Sequence, residues 1–146
     1  WKNVKYSTSN KKVATVSSNG TVSIKGTGIA TITVAASGSN YNTVTKKITI
    51  KVAPKKQSVK AKTAKKKLTI TWTKDSNATG YQVQIATKKN LKGAKTYTVK
   101  SYKTYKKTIS KLKSKKKYYV RVRSYKTIGK TKLYGAYSTV KSYKVK

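Results

Sequence analysis

From position 118 to 125 the chain reads Tyr118, Tyr119, Val120, Arg121, Val122, Arg123, Ser124, Tyr125. In an extended strand successive side chains point to opposite faces, so Tyr118, Val120, Val122 and Ser124 turn inward while Tyr119, Arg121, Arg123 and Tyr125 share the outer face. Aromatic planes beside guanidinium groups stack on sugars or bases, and the planar Arg forks take phosphate, sulfate or carboxylate. The same four outward residues also suit an ordinary solvated sheet, because Tyr and Arg pair well across strands. Tyr97, Tyr102, Tyr105, Tyr134, Tyr137 and Tyr143 enlarge the aromatic supply, although a chain with no Phe must also fill its core with Tyr.

Other chemistry is removed by counting. Acid–base, nucleophilic and metal-assisted catalysis draw chiefly on His, Cys, Asp and Glu. The chain has no His, no Cys and a single acid, Asp75. Paired carboxylates, a Ser/His/Asp triad and a Cys/His metal cluster are therefore excluded, and no enzymatic activity, metal or cofactor is expected. A Ser/Lys pair would need a lysine desolvated enough to be neutral, whereas these lysines read as solvated surface. Asp75, just before Ser76-Asn77, suits a turn.

The charge is extreme: 37 basic residues against one acid give +36, and only Arg121 and Arg123 are arginines. Such a chain attracts polyanions and releases counterions as it binds them. Anionic cell-wall polymers such as teichoic acid, glycosaminoglycans and other glycans are the expected partners, by electrostatics. Non-specific nucleic-acid binding is a third reading, since base-edge recognition favours Arg over evenly spread Lys. The runs Lys65-Lys66-Lys67 and Lys115-Lys116-Lys117 fall at turns, and lysines along edge strands guard against edge-to-edge association.

The elements that must position these groups are strands. Val13 to Ser18, then Asn19-Gly20, then Thr21-Val22-Ser23-Ile24 read as a hairpin closed by a two-residue type I′ turn. Ile29 to Ala35 and Ile48 to Val52 repeat the period of two. Pro54, the only proline, fixes φ and removes a donor, so a boundary is placed there, giving units 1–53 and 54–146. Beyond it come Leu68 to Trp72, Tyr81 to Ile85, Tyr97 to Val99, Lys107 to Ile109, Tyr118 to Tyr125 and Ser142 to Val145. Short strands at this spacing, with Gly, Asn and Ser between, specify a sandwich. No stretch approaches the ~20 apolar residues of a membrane span.

The second unit resembles a fibronectin type III domain of the kind found in surface proteins of Gram-positive gut bacteria. The resemblance rests on Leu68, Ile70 and Trp72, on Gly80-Tyr81-Gln82-Val83, on Leu112 followed by Tyr118, on Val120 and Val122, and on Tyr134-Gly135-Ala136-Tyr137-Ser138. It implies a core containing Trp72, Tyr81, Val83, Leu112, Tyr118, Val120 and Val122. It also implies a tyrosine corner at Tyr118, and it puts Tyr137 where the family has Trp. The first unit resembles the bacterial immunoglobulin-like group 2 family through Ser9-Asn10 to Val16 and Gly26-Thr27-Gly28-Ile29-Ala30-Thr31-Ile32-Thr33-Val34. Members of that family carry about two further strands ahead of this segment. The expected fold class is therefore all-β, with two tandem immunoglobulin-like β-sandwiches, the first lacking its initial strands. A chain starting at Trp1 reads as a segment of a longer polypeptide, or as one whose missing strands a neighbouring chain donates. An extracellular protein, cell-surface or secreted, that spaces, displays or assembles is the implied role.

Overall fold

β-Branched residues at alternate positions build strands throughout, and the computed structural model, which describes residues 3–146, contains no helix among them. The chain divides into two compact units, Trp1–Val52 and Ala53–Lys146.

The first unit has a three-stranded sheet in the order β1 (Asn3–Thr8), β4 (Gly28–Gly38), β5 (Tyr41–Val52), with β2 (Ala14–Val16) and β3 (Val22–Ile24) paired as a second sheet. Strand β4 is central and pairs antiparallel with both neighbours. Its Ala30 and Ile32 join Val13 and Ala14 in a small buried core, with Val16, Ile50 and Val52 packed around them. Farther along the same face, Val44 lies opposite Ala36 and Ile48 opposite Ile32, yet they are 55% and 49% exposed. Val4, Val22 and Ile24 are exposed as well. The two short strands β2 and β3 cover only one end of the larger sheet's apolar face.

The hairpin at Asn19-Gly20 differs from its sequence reading. Pairing stops at Val16↔Val22, so Ser17 to Thr21 form the loop, and only Gly20 has positive φ, at 85°. Asn19 Oδ1 and Ser17 Oγ both accept the Thr21 amide, which stabilises a wider loop than a type I′ turn. The tight turn lies instead at Ser39-Asn40, where Gly38 pairs with Tyr41. Strand β1 and most of β5 carry too few apolar residues for a period of two to show: β1 has only Val4 and Tyr6 on its inward face, and that of β5 is interrupted by Lys46.

The second unit is a sandwich. One sheet runs β10 (Lys106–Ile109), β7 (Lys67–Trp72), β6 (Val59–Ala64). The other runs β12 (Thr131–Tyr134), β11 (Lys117–Ile128), β8 (Gly80–Ala86), β9 (Lys95–Val99), with β13 (Lys141–Lys144) also on β11. Between them lie Leu68, Ile70, Trp72, Tyr81, Val83, Ile85, Tyr118, Val120 and Val122, all buried, with Leu112 partly buried against them. Trp72 meets Tyr81 edge to face at a centroid distance of 5.3 Å. The Tyr118 hydroxyl accepts the Lys113 amide at 3.0 Å, which pins the start of β11 to the loop before it. The Lys65–Lys67 and Lys115–Lys117 runs do lie at turns, where Lys66 and Lys115 take left-handed φ near 54° and 59°.

Asp75 does more than turn the chain. Its Oδ1 accepts the Asn77 amide and its Oδ2 accepts the Lys55 amide, at 3.0 and 3.2 Å. Its own amide donates to the Tyr81 hydroxyl, which donates in turn to the Tyr102 carbonyl. The sole negative side chain is thus committed to backbone donors.

Burial pushes the Tyr81 phenol above its ordinary value; the hydrogen bond from Asp75 lowers it and the Asp75 charge raises it further. Burial also raises Tyr125, with Tyr134 adding to it, and raises Tyr143 against a hydrogen bond at Ala61. A phenol with a raised folded pKa is neutral in the fold when the unfolded chain has begun to ionise. The stability this contributes is full below pH about 10 and is lost as pH rises through the folded values. Alkaline titration followed by phenolate absorption is expected to show these three tyrosines ionising after the others, with the melting temperature falling over the same range.

Candidate anion-binding face

Strand β11 carries a different neighbour along each part of one edge. Lys117 to Val120 pair with β13, and Tyr125 to Ile128 pair with β12. Between these stretches Gly135 to Ser138 runs beside the strand without joining the ladder. Ser138 donates its amide to the Val122 carbonyl at 2.7 Å and accepts the Val122 amide on Oγ at 3.0 Å. The Gly135 amide donates to the Ser124 carbonyl. A Cβ at Gly135 would meet the Pro54 carbonyl at 2.6 Å and Ser124 Oγ at 2.9 Å, so only glycine lets this segment lie so close.

Tyr137 in that crossing, with Tyr134 at the end of β12, lies on the outer face of β11. The Arg121 guanidinium lies 3.8 Å from the Tyr137 ring centroid, and that of Arg123 lies 3.8 Å from Tyr134 and 4.5 Å from Tyr137. Strand β8 holds the other side: Arg121 Nε donates to Gln84 Oε1 at 2.8 Å, and Arg123 Nε to Gln82 Oε1 at 2.9 Å. Gln84 is fixed in turn by donating to Thr96 Oγ1 on β9. The result is a ladder, Arg121, Tyr137, Arg123, Tyr134, with each guanidinium oriented by stacking and by one hydrogen bond.

Of the four residues the sequence points to, the structure groups Arg121 and Arg123 in this ladder and leaves Tyr119 half-buried near its end, opposite Ala86 and Ser142. Tyr125 is not on an accessible face. It is only 4% exposed, because its partner Gly80 offers no side chain and Tyr134 lies across it at 6.2 Å. Its hydroxyl would stand 2.8 Å from a Cβ at Gly80. The rings that stack on the arginines are Tyr134 and Tyr137, supplied by a later segment. Their signal was the Tyr-Gly-Ala-Tyr-Ser sequence, whose glycine marks a close backbone approach. No group of His, Cys, Asp and Glu able to hold a metal occurs among the described residues.

The family model for the fibronectin type III domain matches residues 52–141. Among solved structures, a two-domain fibronectin type III segment of chicken tenascin superposes with a TM-score of 0.64 at 15% identity, covering 97% of this chain and 82% of that one. The FN1–FN3 domains of chicken CNTN1 give 0.54 at 20% identity, covering 86% of this chain. The chain spans 44% of the length of that protein segment. A myokine structure gives 0.50 at 17% identity, covering 64% of this chain and 95% of its own. No curated protein matches the sequence.

Proposed function

The chain belongs to the fibronectin type III family over residues 52–141, and on that premise we propose that it is a non-catalytic extracellular segment that spaces and adheres, held to anionic polymers by its charge. The family supports the modular, structural part of this reading, and fold alone assigns no ligand. The observation that carries the electrostatic part is the fate of Asp75. A net charge of +36 is opposed by one carboxylate, and that carboxylate is buried and bonded to backbone amides. The lysines of Lys60, Lys62 and Lys106, on the outward positions of the β10-β7-β6 sheet, illustrate how much of the field faces solvent.

The resemblance of the Ser-Asn-Lys-Lys-Val-Ala-Thr-Val segment to bacterial immunoglobulin-like group 2 domains, and of the second unit to fibronectin type III domains of Gram-positive gut bacteria, is what supports a Gram-positive surface protein in this reading, with teichoic acid and host glycans as the polymers met. Retention on immobilised teichoic acid, heparin and DNA is expected to be strong at low ionic strength and to fall steeply for all three as salt is raised. Weak retention at low salt would overturn the reading.

Assembly by strand addition is a second reading, favoured by the uncovered Val44 and Ile48 on edge strand β5. A neighbouring chain's extended segment would complete the sheet. Light scattering across a concentration series that finds only monomer would remove it.

A further inference from the structure

We propose that the Arg121–Tyr137–Arg123–Tyr134 ladder is a built site for two oxyanions of one anionic polysaccharide, sulfate or carboxylate, taken by the free edges of the two guanidiniums. The proposal rests on the polyanion reading above and gives it a specific locus.

Each guanidinium spends Nε on a glutamine and its face on a tyrosine ring. Neither makes a further hydrogen bond or ion pair among the described residues. The terminal nitrogens therefore keep their donors, and the stacking and Nε bonds hold them in place before a ligand arrives. Preorganisation of this kind reduces the side-chain entropy lost on binding. Two residues along a strand span about 7 Å, so the free edges present two forks at a fixed repeat on one face.

The surroundings favour a polysaccharide over a nucleic acid. Both guanidiniums lie against Tyr137, and Tyr134 packs on Arg123, so each ring already has a guanidinium stacked on it, which reduces the bare aromatic surface on which successive bases stack. Beside the arginines the outward positions of β8 and β9 are Gln82, Gln84, Thr96 and Thr98, a row of amides and hydroxyls suited to sugar hydroxyls. The outer face of the opposite sheet carries lysines at Lys60, Lys62 and Lys106, and Lys117, Lys132 and Lys144 flank the ladder on its own face. Diffuse attraction thus acts on both faces of the second unit, whereas planar forks for oriented recognition occur at Arg121 and Arg123 alone, the chain's two arginines.

The test separates them by holding charge constant. In the double variant R121K/R123K the net charge remains +36 while both planar forks are lost. At moderate salt its affinity for a heparin octasaccharide, measured by calorimetry, is expected to fall at least about tenfold, as for loss of charge-assisted hydrogen bonds. The salt slope is expected to stay unchanged, and a single-stranded DNA of matched charge is expected to bind both proteins alike. Unchanged heparin affinity in a folded variant overturns the site; equal losses for heparin and DNA overturn the polysaccharide assignment. Weak heparin binding by the wild type even at low salt would instead sink the electrostatic reading itself. Should the variant not fold, the wild type answers alone, because the chain has only two arginines. Their guanidinium NMR resonances are expected to shift on titration with the octasaccharide, and resonances that stay put overturn the proposal.

Discussion

Replacing Trp72 with alanine is expected to destabilise the second unit by about 3–5 kcal/mol, while phenylalanine at the same position costs less than half as much. The indole, on the last residue of β7, is buried in the core between the sheets and meets Tyr81 on the facing sheet. Alanine removes the ring, leaves a cavity that close-packed neighbours fill only in part, and abolishes the edge-to-face contact with Tyr81. Phenylalanine keeps an aromatic edge against Tyr81. It also removes a liability, because Trp72 Nε1 is buried with no hydrogen-bond partner among the described residues. An unpaired buried donor costs roughly 1–3 kcal/mol, so its removal offsets part of the lost packing. Thermal unfolding of the two variants measures the difference. For a unit of this size the alanine change corresponds to a melting temperature lower by about 15–30 °C. Equal losses for both variants would mean that the indole nitrogen is satisfied in solution and that the packing argument is incomplete.

The second unit was the more legible in sequence, and the reason is physical. Leu68, Ile70, Trp72, Tyr81, Val83, Val120 and Val122 alternate with polar residues because both of its sheets are buried on one face and wet on the other, which writes a period of two into the chain. The tyrosine corner followed from the family resemblance, and it is local in sequence: the Tyr118 hydroxyl accepts the Lys113 amide across a short loop. Tyr125 was misplaced because its burial depends on contacts distant in sequence: the absent side chain of Gly80 on β8 and the ring of Tyr134 on β12. The partners of Arg121 and Arg123 were missed on the same ground. Alternation along β11 shows which residues share its face, and it does not show that β12 and the segment Gly135 to Ser138 lie along that edge.

The first unit was less legible because it lacks the burial that produces alternation. Strand β5 reads Tyr-Asn-Thr-Val-Thr-Lys-Lys before its apolar end, and its inward face there is open. Asn19-Gly20 had the composition of a two-residue turn, yet side-chain bonds from Ser17 and Asn19 to the Thr21 amide favour the wider loop. Local composition lost to local hydrogen bonding, a competition that a dipeptide preference does not describe.

The open face leads to a paired prediction in which burial, rather than residue type, decides the outcome. Ile32 and Ile48 sit opposite each other on β4 and β5, on the same face, and one is buried while the other is 49% exposed. Ile32→Ala is expected to cost about 2–5 kcal/mol. Among the described residues the first unit's buried core is Val13, Ala14, Ala30 and Ile32, and a core in so short a unit rarely supplies more than about 3–5 kcal/mol. The unit is therefore expected to melt as a whole, with amide protons of β4 losing protection while those of β7, β8 and β11 keep theirs. Ile48→Lys is expected to change stability by no more than about 0.5 kcal/mol in the monomer, since its side chain already meets water. If a neighbouring chain donates strands to this face, Ile48→Lys places a charge in the completed core and becomes nearly as damaging as Ile32→Ala, with the loss growing at protein concentrations where wild type assembles. Hydrogen exchange of the two variants at low and high concentration thus measures whether β2 and β3 are the only cover this sheet has.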